Sequence, residues 1–230
     1  MAFILSRIIR FALLAFVIYQ IVQYVLHNKT YSFPAAKFKK IALDASKMKN
    51  GLSAVNNFVS NMKAISPQSS LKDSYWIPFS AGGLNLNAQF VSTLFTEFSV
   101  VFHAPLKTSG RSGIHWSNTS CSVLSGSVYR SKDILNGGFK EIFKKGEEFR
   151  HSQFEAAIYE FSEDTFIACY GRGVVPLSGV YPTISGLLNS DPISVGKLFV
   201  TYIRGITDSY LFYLQTIFQQ VKKSFTKTEL

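Results

Sequence analysis

Residues Ile8 to Leu26 read IIRFALLAFVIYQIVQYVL, a run in which only Arg10, Gln20 and Gln23 are strongly polar. Bilayer hydrocarbon offers no partners to a backbone, so a spanning segment must satisfy its own amides, and about 17 to 25 apolar residues do so as one helix. The run therefore predicts a single-pass anchor, with the rest of the chain on one side of a membrane. A cleaved signal sequence fits less well, because the run outlasts a usual signal core and its end, Tyr24-Val25-Leu26-His27, lacks the small residues a peptidase needs. Orientation draws on two opposed cues. Arg7 and Arg10 precede the run, whereas Lys29, Lys37, Lys39 and Lys40 follow it, a slight bias toward a cytosolic body. The chain ends Lys227-Thr228-Glu229-Leu230, one position away from a KDEL retention signal, which is read only in the lumen. The second cue leads to an endoplasmic-reticulum protein with a cytosolic N-terminus and a luminal body.

The remaining 200 or so residues can bury one substantial core. Four regions are expected: an anchor over 1–30, a helical connector over 31–70, a β domain over 71–185, and C-terminal membrane-adjacent helices with a tail over 186–230. In the connector, Phe38, Ile41, Ala42 and Ala45, then Val55, Phe58, Val59 and Met62, recur at helical spacing on either side of Asn50-Gly51, which predicts two short helices. Between Trp76 and Val175 short apolar runs are punctuated by Gly, Ser and Asn: WIPFSAGG, TEFSVVF, CSVLSGSVY, EAAIYEF, TFIACYGRGVV. Such runs read as strands of a barrel or sandwich, and Ile158–Phe161 with Thr165–Tyr170, joined by Ser162-Glu163-Asp164, reads as a hairpin. Leu198 to Phe218 is long enough to cross a membrane, but Arg204 and Asp208 each cost about 2.5 to 3.5 kcal/mol at a helix centre. This helix is expected to lie on the barrel, the bilayer surface, or both.

Several chemistries are absent. A net charge of +10 suits nucleic acid or an anionic surface, but there is no zinc-finger spacing, no RNP aromatic signature and no basic recognition helix, so no nucleic-acid partner is expected. Only 17% of residues are charged, against about 25% in an ordinary soluble chain, and lipid is the first candidate for contact with the surplus apolar surface. His27, His103, His115 and His151 have no metal-ligand spacing. Gly82-Gly83, Gly110-Arg111-Ser112-Gly113 and Gly171-Arg172-Gly173 match neither a phosphate-binding loop nor a dinucleotide fingerprint, and no cofactor or metal is predicted. Cys121 and Cys169 are too few for a disulfide scaffold and too far apart for a CxxC site.

WIPFSAGG (76–83), TEFSVVF (96–102), GRSGIHW (110–116), SVLSG (122–126), EAAIYEF (155–161) and YGRGVVP (170–176) occur in the order and spacing of one family. On these motifs the chain resembles the family that joins the sigma-1 receptor with the fungal C-8 sterol isomerases. The resemblance implies an α+β protein: an N-terminal transmembrane helix, a cupin-like β-barrel around an apolar pocket, two C-terminal membrane-surface helices, and a homotrimer. It implies a sterol or other hydrophobic ligand. In the isomerases, moving the Δ8 double bond to Δ7 needs a proton donor and stabilisation of a cation, work suited to a buried carboxylate.

Here the family's acids are missing. The resemblance aligns Cys169 with the glutamate before the YGRG motif, Cys121 with an aspartate five residues after the tryptophan, Asn118 with another acid, and Ser92 with a pocket histidine. These four, with Phe98, Phe102, Trp116 and Phe161, form the expected ligand-binding set, and no catalytic residue is assigned. Glu97, Gly171, Arg172 and Gly173 are expected to be structural, Glu97 as an acceptor that ties loops together. The first reading is therefore a ligand-binding protein without isomerase activity. The alternatives are an isomerase using a displaced acid, Glu97 or Glu160, and a membrane scaffold whose pocket is vestigial. The resemblance also implies that Cys121 and Cys169 face each other across the barrel interior, with two reduced thiols as the expected state.

Overall fold

The computed structural model describes residues 2–29, 31–67, 70–132 and 140–227. It divides into two compact units, Met1–Tyr31 and Ser32–Leu230. The first is helix α1 (Ala2–Asn28). Among the described residues only this helix, over Arg7–Asn28, is long and apolar enough to cross a membrane.

The second unit begins with α2 (Ala35–Ser46) and α3 (Gly51–Ile65). Their break falls at Asn50, whose side chain accepts from the Leu52 amide at 3.2 Å and caps α3. Ten strands follow among the described residues: β1 (Trp76–Ala81), β2 (Leu84–Thr93), β3 (Glu97–Ala104), β4 (Thr108–Arg111), β5 (Ser117–Ser125), β6 (Ser127–Ser131), β7 (Lys140–Lys144), β8 (Glu148–His151), β9 (Ile158–Phe161) and β10 (Thr165–Gly173). They form a six-stranded sheet in the order β1-β2-β3-β10-β5-β8 and a four-stranded sheet in the order β4-β9-β6-β7. All pairings are antiparallel.

Alternation sorts the six-stranded sheet into two faces. Val91, Val101, Leu124, Phe166, Ala168 and Tyr170 pack with Phe38, Phe58 and Met62 of α2 and α3. The intervening set, Val100, Cys121, Val123, Ile167 and Cys169, packs instead with Val128, Tyr159 and Phe161 of the four-stranded sheet. The β domain is thus a two-sheet barrel with an apolar interior, and the α+β class stands.

Two strand readings need correction. CSVLSGSVY is not one strand: the chain leaves the larger sheet at Ser125 and enters the smaller at Ser127. Gly126 makes the corner at φ +80°, in the left-handed region that suits glycine, and a Cβ there would collide with Thr165. The second correction concerns Ile158–Phe161 and Thr165–Tyr170, which do not pair. β9 lies between β4 and β6, whereas β10 lies between β3 and β5, so residues 162–164 form an arch between sheets. The arch is held from afar, since the Ser127 amide donates to Ser162 Oγ at 3.0 Å and to Thr165 Oγ1 at 3.3 Å.

The chain closes with α4 (Val175–Ser178), α5 (Val180–Leu188) and α6 (Pro192–Lys227). They dock along the β1 edge of the larger sheet and on the start of β5: Gly82 N donates to Ser185 Oγ and Trp116 N to Ser178 Oγ, both at 3.0 Å, and Tyr75 Oη meets Thr201 Oγ1 at 3.0 Å. Their other side exposes Ile184, Leu187, Leu188, Ile193, Phe199 and Ile203. The retention-like sequence falls on 228–230, outside the described residues.

Candidate functional site

The interior is built by inward-facing residues of both sheets. In the smaller sheet Phe143 lies opposite Val128, with Tyr159 and Phe161 two apart on β9. Phe149 stacks obliquely on Phe143 at 4.9 Å and on Tyr159 at 5.7 Å, and Phe79 packs on Phe102 at 5.2 Å. Gly171 admits the Phe98 ring, which occupies the space a Cβ there would need. Gly173 approaches the Trp116–Ser117 backbone equally closely.

At the centre, Cys121 on β5 lies directly opposite Cys169 on β10, and the two are joined as a disulfide with Cα atoms 4.1 Å apart. This corrects the expectation of two reduced thiols facing across the interior. They are cross-strand neighbours in one sheet, and their spacing is that of a narrow antiparallel pair, about 4.5 Å, short enough for sulfur bonding. Both are buried, at 5% and 2% exposure.

Two expected pocket residues lie elsewhere. Asn118 is exposed, and its Oδ1 accepts from the Gln153 amide at 2.9 Å; it falls between the inward-facing positions of β5 and so points out of the barrel. Ser92 is fully buried but follows a register shift after Phe90 and pairs with Ser99, in the alternate set of Glu97 and Val101. Paired residues share a face, so Ser92 lies on the helical side. Neither the Ser92 nor the Ser99 hydroxyl has a partner among the described residues. Trp116 stands half-buried at the start of β5 and packs edge-on against Phe154 at 4.9 Å.

Glu97 is the only buried carboxylate among the described residues. Its Oε1 accepts from the Ser32 amide at 2.9 Å and its Oε2 from Tyr170 Oη at 2.7 Å. Arg172 donates through Nε to Tyr170 Oη at 2.9 Å and through Nη2 to the Phe33 carbonyl at 2.7 Å. Burial, reinforced by the Glu97 carboxylate, holds the Tyr170 phenol well above its ordinary range. The network closes the strand face beneath Phe33, not the interior. Glu160 lies between inward-facing Tyr159 and Phe161 and pairs outward with Lys107 at 3.0 Å. Neither acid considered as a displaced catalyst therefore faces the interior.

The interior is polar at one end. Arg130, 6% exposed, donates through Nε to Glu141 at 2.6 Å and lies over the Phe143 ring at 5.1 Å. It also hydrogen-bonds the Tyr159 hydroxyl, whose pKa burial pushes up to about 12. Tyr159 Oη meets His151 Nδ1 at 3.1 Å, and the His151 and His115 rings lie edge to face at 5.6 Å. His115 Nε2 is 2.7 Å from the Ser112 carbonyl. Burial lowers both imidazoles, His151 to about 4 with His115 as the next cause. Sequence reasoning did not select His151. The signal was there, because in Phe149-Arg150-His151 the histidine repeats the inward parity of Phe149.

A family profile with the description "ERG2 and Sigma1 receptor like protein" matches residues 9–214. The sigma non-opioid intracellular receptor 1 of Xenopus tropicalis is 29% identical over 154 residues, 66% of this chain and 68% of its own. That of Taricha granulosa is 28% identical over 181 residues, 76% of this chain and 80% of its own. An RmlC-like cupin from Shewanella frigidimarina is similar in structure over 44% of this chain and 86% of its own, at TM-score 0.37 and 12% identity.

Proposed function

The chain belongs to the ERG2 and Sigma1 receptor like family, and on that premise we propose that it is an endoplasmic-reticulum, membrane-anchored protein that binds a sterol or other uncharged hydrophobic ligand in its barrel and does not isomerise it. The observation that carries the reading is the Cys121–Cys169 disulfide at the centre of the interior. Where the family resemblance leads one to expect acidic side chains, the interior has a neutral, unreactive bridge. A disulfide can neither protonate an alkene nor stabilise a carbocation, and it gives an ammonium no counter-charge. Two carboxylates near the polar end have cationic partners, Glu141 with Arg130 at 2.6 Å and Glu155 with Lys132 at 2.7 Å.

The same bond supports the luminal orientation, since disulfides persist in oxidising compartments and are rare in the cytosol. The apolar outer sides of α5 and α6 suit the bilayer surface, and the homotrimer implied by the resemblance forms part of the proposal. Two experiments test the reading. Purified full-length protein should bind tritiated cholestanol saturably, and expression in a cell lacking its Δ8–Δ7 sterol isomerase should leave the defect uncorrected. Rescue of that cell would overturn the non-catalytic reading in favour of an active isomerase.

A further inference from the structure

The sequence contains two N-glycosylation sequons, Asn28-Lys29-Thr30 and Asn118-Thr119-Ser120. The structure separates them. Asn28 is the last residue of α1, and its Nδ2 donates to the Tyr24 carbonyl at 2.8 Å within the final turn of the anchor. Asn118 lies on β5, and a sequon inside a strand is expected to be hidden once the domain folds, yet this asparagine is exposed. Leu124, on the same outer face of β5, is fully buried against α2 and α3, so the cover of the helices ends before Asn118. Asn118 Oδ1 accepts from the Gln153 amide at 2.9 Å, which fixes the side chain, while Nδ2, the atom a glycan would bond, has no hydrogen-bond partner among the described residues. Trp116, two residues before, packs edge-on with Phe154 at 4.9 Å, and Phe154 is 43% exposed at φ +63°. An exposed aromatic ring thus stands next in sequence to the residue whose amide holds Asn118.

We propose that Asn118 is an N-glycosylation site, filled as the chain enters the endoplasmic-reticulum lumen. This rests on the luminal orientation proposed above and adds a modification that only a luminal body receives. The donor is an oligosaccharide carried on a polyprenyl diphosphate. A bond forms between Asn118 Nδ2 and C1 of the first sugar as the bond from C1 to the diphosphate oxygen breaks, and the proton lost by Nδ2 ends on the released diphosphate. The Ser120 hydroxyl is the third-position group by which the transferase selects the asparagine. The folded domain has room for the product. A glycosylated asparagine keeps Oδ1 as an acceptor, so the Gln153 bond survives, and the apolar face of the first sugar has the Trp116 and Phe154 rings beside it. Chain order favours transfer as well: Cys169 enters the lumen after Asn118, so the sequon meets the transferase before the bridge to Cys121 ties β5 to β10.

Translation of the full chain, with an epitope lacking sequons placed after Leu230, in the presence of sealed microsomes tests it. The unaltered chain should gain one glycan, seen as a slower band that endoglycosidase H returns to the unmodified position. Asn118→Gln and Ser120→Ala should lose that band, Ser120→Thr should keep it, and Asn28→Gln should leave it unchanged. Transfer precedes folding, so a variant that fails to fold still reports. The epitope reads orientation separately, since protection from added protease places the C-terminus in the lumen. A protected epitope on a chain without a glycan would overturn the site and leave the luminal orientation standing. So would a glycan that survives Asn118→Gln. An epitope digested without detergent, on a chain without a glycan, would overturn both.

Discussion

The two faces of the six-stranded sheet bury polar groups in opposite ways. On the helical face Glu97 has both carboxylate oxygens filled, from Ser32 and Tyr170, and the donors are themselves tied to Phe33 and Arg172. On the inward face the buried His151 ring meets the Tyr159 hydroxyl at 3.1 Å, and the Cys121–Cys169 bridge is neutral. Both arrangements are buried in the same sheet, so burial alone does not separate structure from function. Charge separates the two faces: an ionised, fully hydrogen-bonded carboxylate ties the entering chain to the helical face, whereas the inward face has a neutral bridge at Cys121 and Cys169.

That contrast can be broken most severely at the bridge. Cys121 and Cys169 are 48 residues apart, and a link closing a loop of that size is worth about 4 kcal/mol in the chain-entropy model. Replacing both by alanine should lower the unfolding free energy by roughly that amount, read by urea denaturation under oxidising conditions. An unchanged midpoint would show that the bond does not form in the native protein.

Glu97→Ala should come next, at about 3 kcal/mol, because it strands a buried amide and a buried phenol together and leaves Arg172 without its nearby negative charge. The same denaturation assay reads it. A loss below about 1 kcal/mol would remove the helical face from the comparison.

Acid should act on the other face. His151 titrates near 4 when folded and at about 6.5 when unfolded. The unfolded chain therefore binds the extra proton first, and stability is full above pH 6.5 and falls as pH drops toward 4. His115, lowered by burial, adds in the same direction. Allowing for solvent screening, His151 should contribute about 2 kcal/mol of loss over that window, and His151→Leu should flatten the stability profile there. A profile as steep as that of the unaltered protein would deny the buried imidazole this role.

What the sequence disclosed follows the range of each signal. The anchor and the α2–α3 break are written locally, in an unbroken apolar run and in an Asn-Gly pair, and both could be read directly. The strand runs were also legible, but not which sheet each joins. Ile158–Phe161 and Thr165–Tyr170 look like a hairpin because three polar residues between alternating runs suit a turn or an arch alike. The deciding hydrogen bonds come from Ser127, more than thirty residues away. Ser92 was misplaced for a related reason, since a single register shift after Phe90 sends it to the other face. The juxtaposition of Cys121 and Cys169 came through family resemblance, and their bonding required the strand register. His151 has no metal-ligand spacing, and its burial beside Tyr159 follows from strand alternation, a signal that ligand spacing does not register.

The central claim is that a neutral bridge has taken the place of a charged pair and so changed what the interior accepts. Its most direct measurement is competition for tritiated cholestanol by a cationic amphiphilic amine, on the unaltered protein and on Cys121→Asp/Cys169→Glu, with circular dichroism to confirm that both are folded. An ammonium without a counter-charge in an apolar chamber costs several kcal/mol, and about 1.4 kcal/mol is tenfold in affinity. The amine should therefore compete at least about a hundredfold better on the double variant than on the unaltered chain. Tight competition on the unaltered chain, with no gain in the variant, would contradict the account.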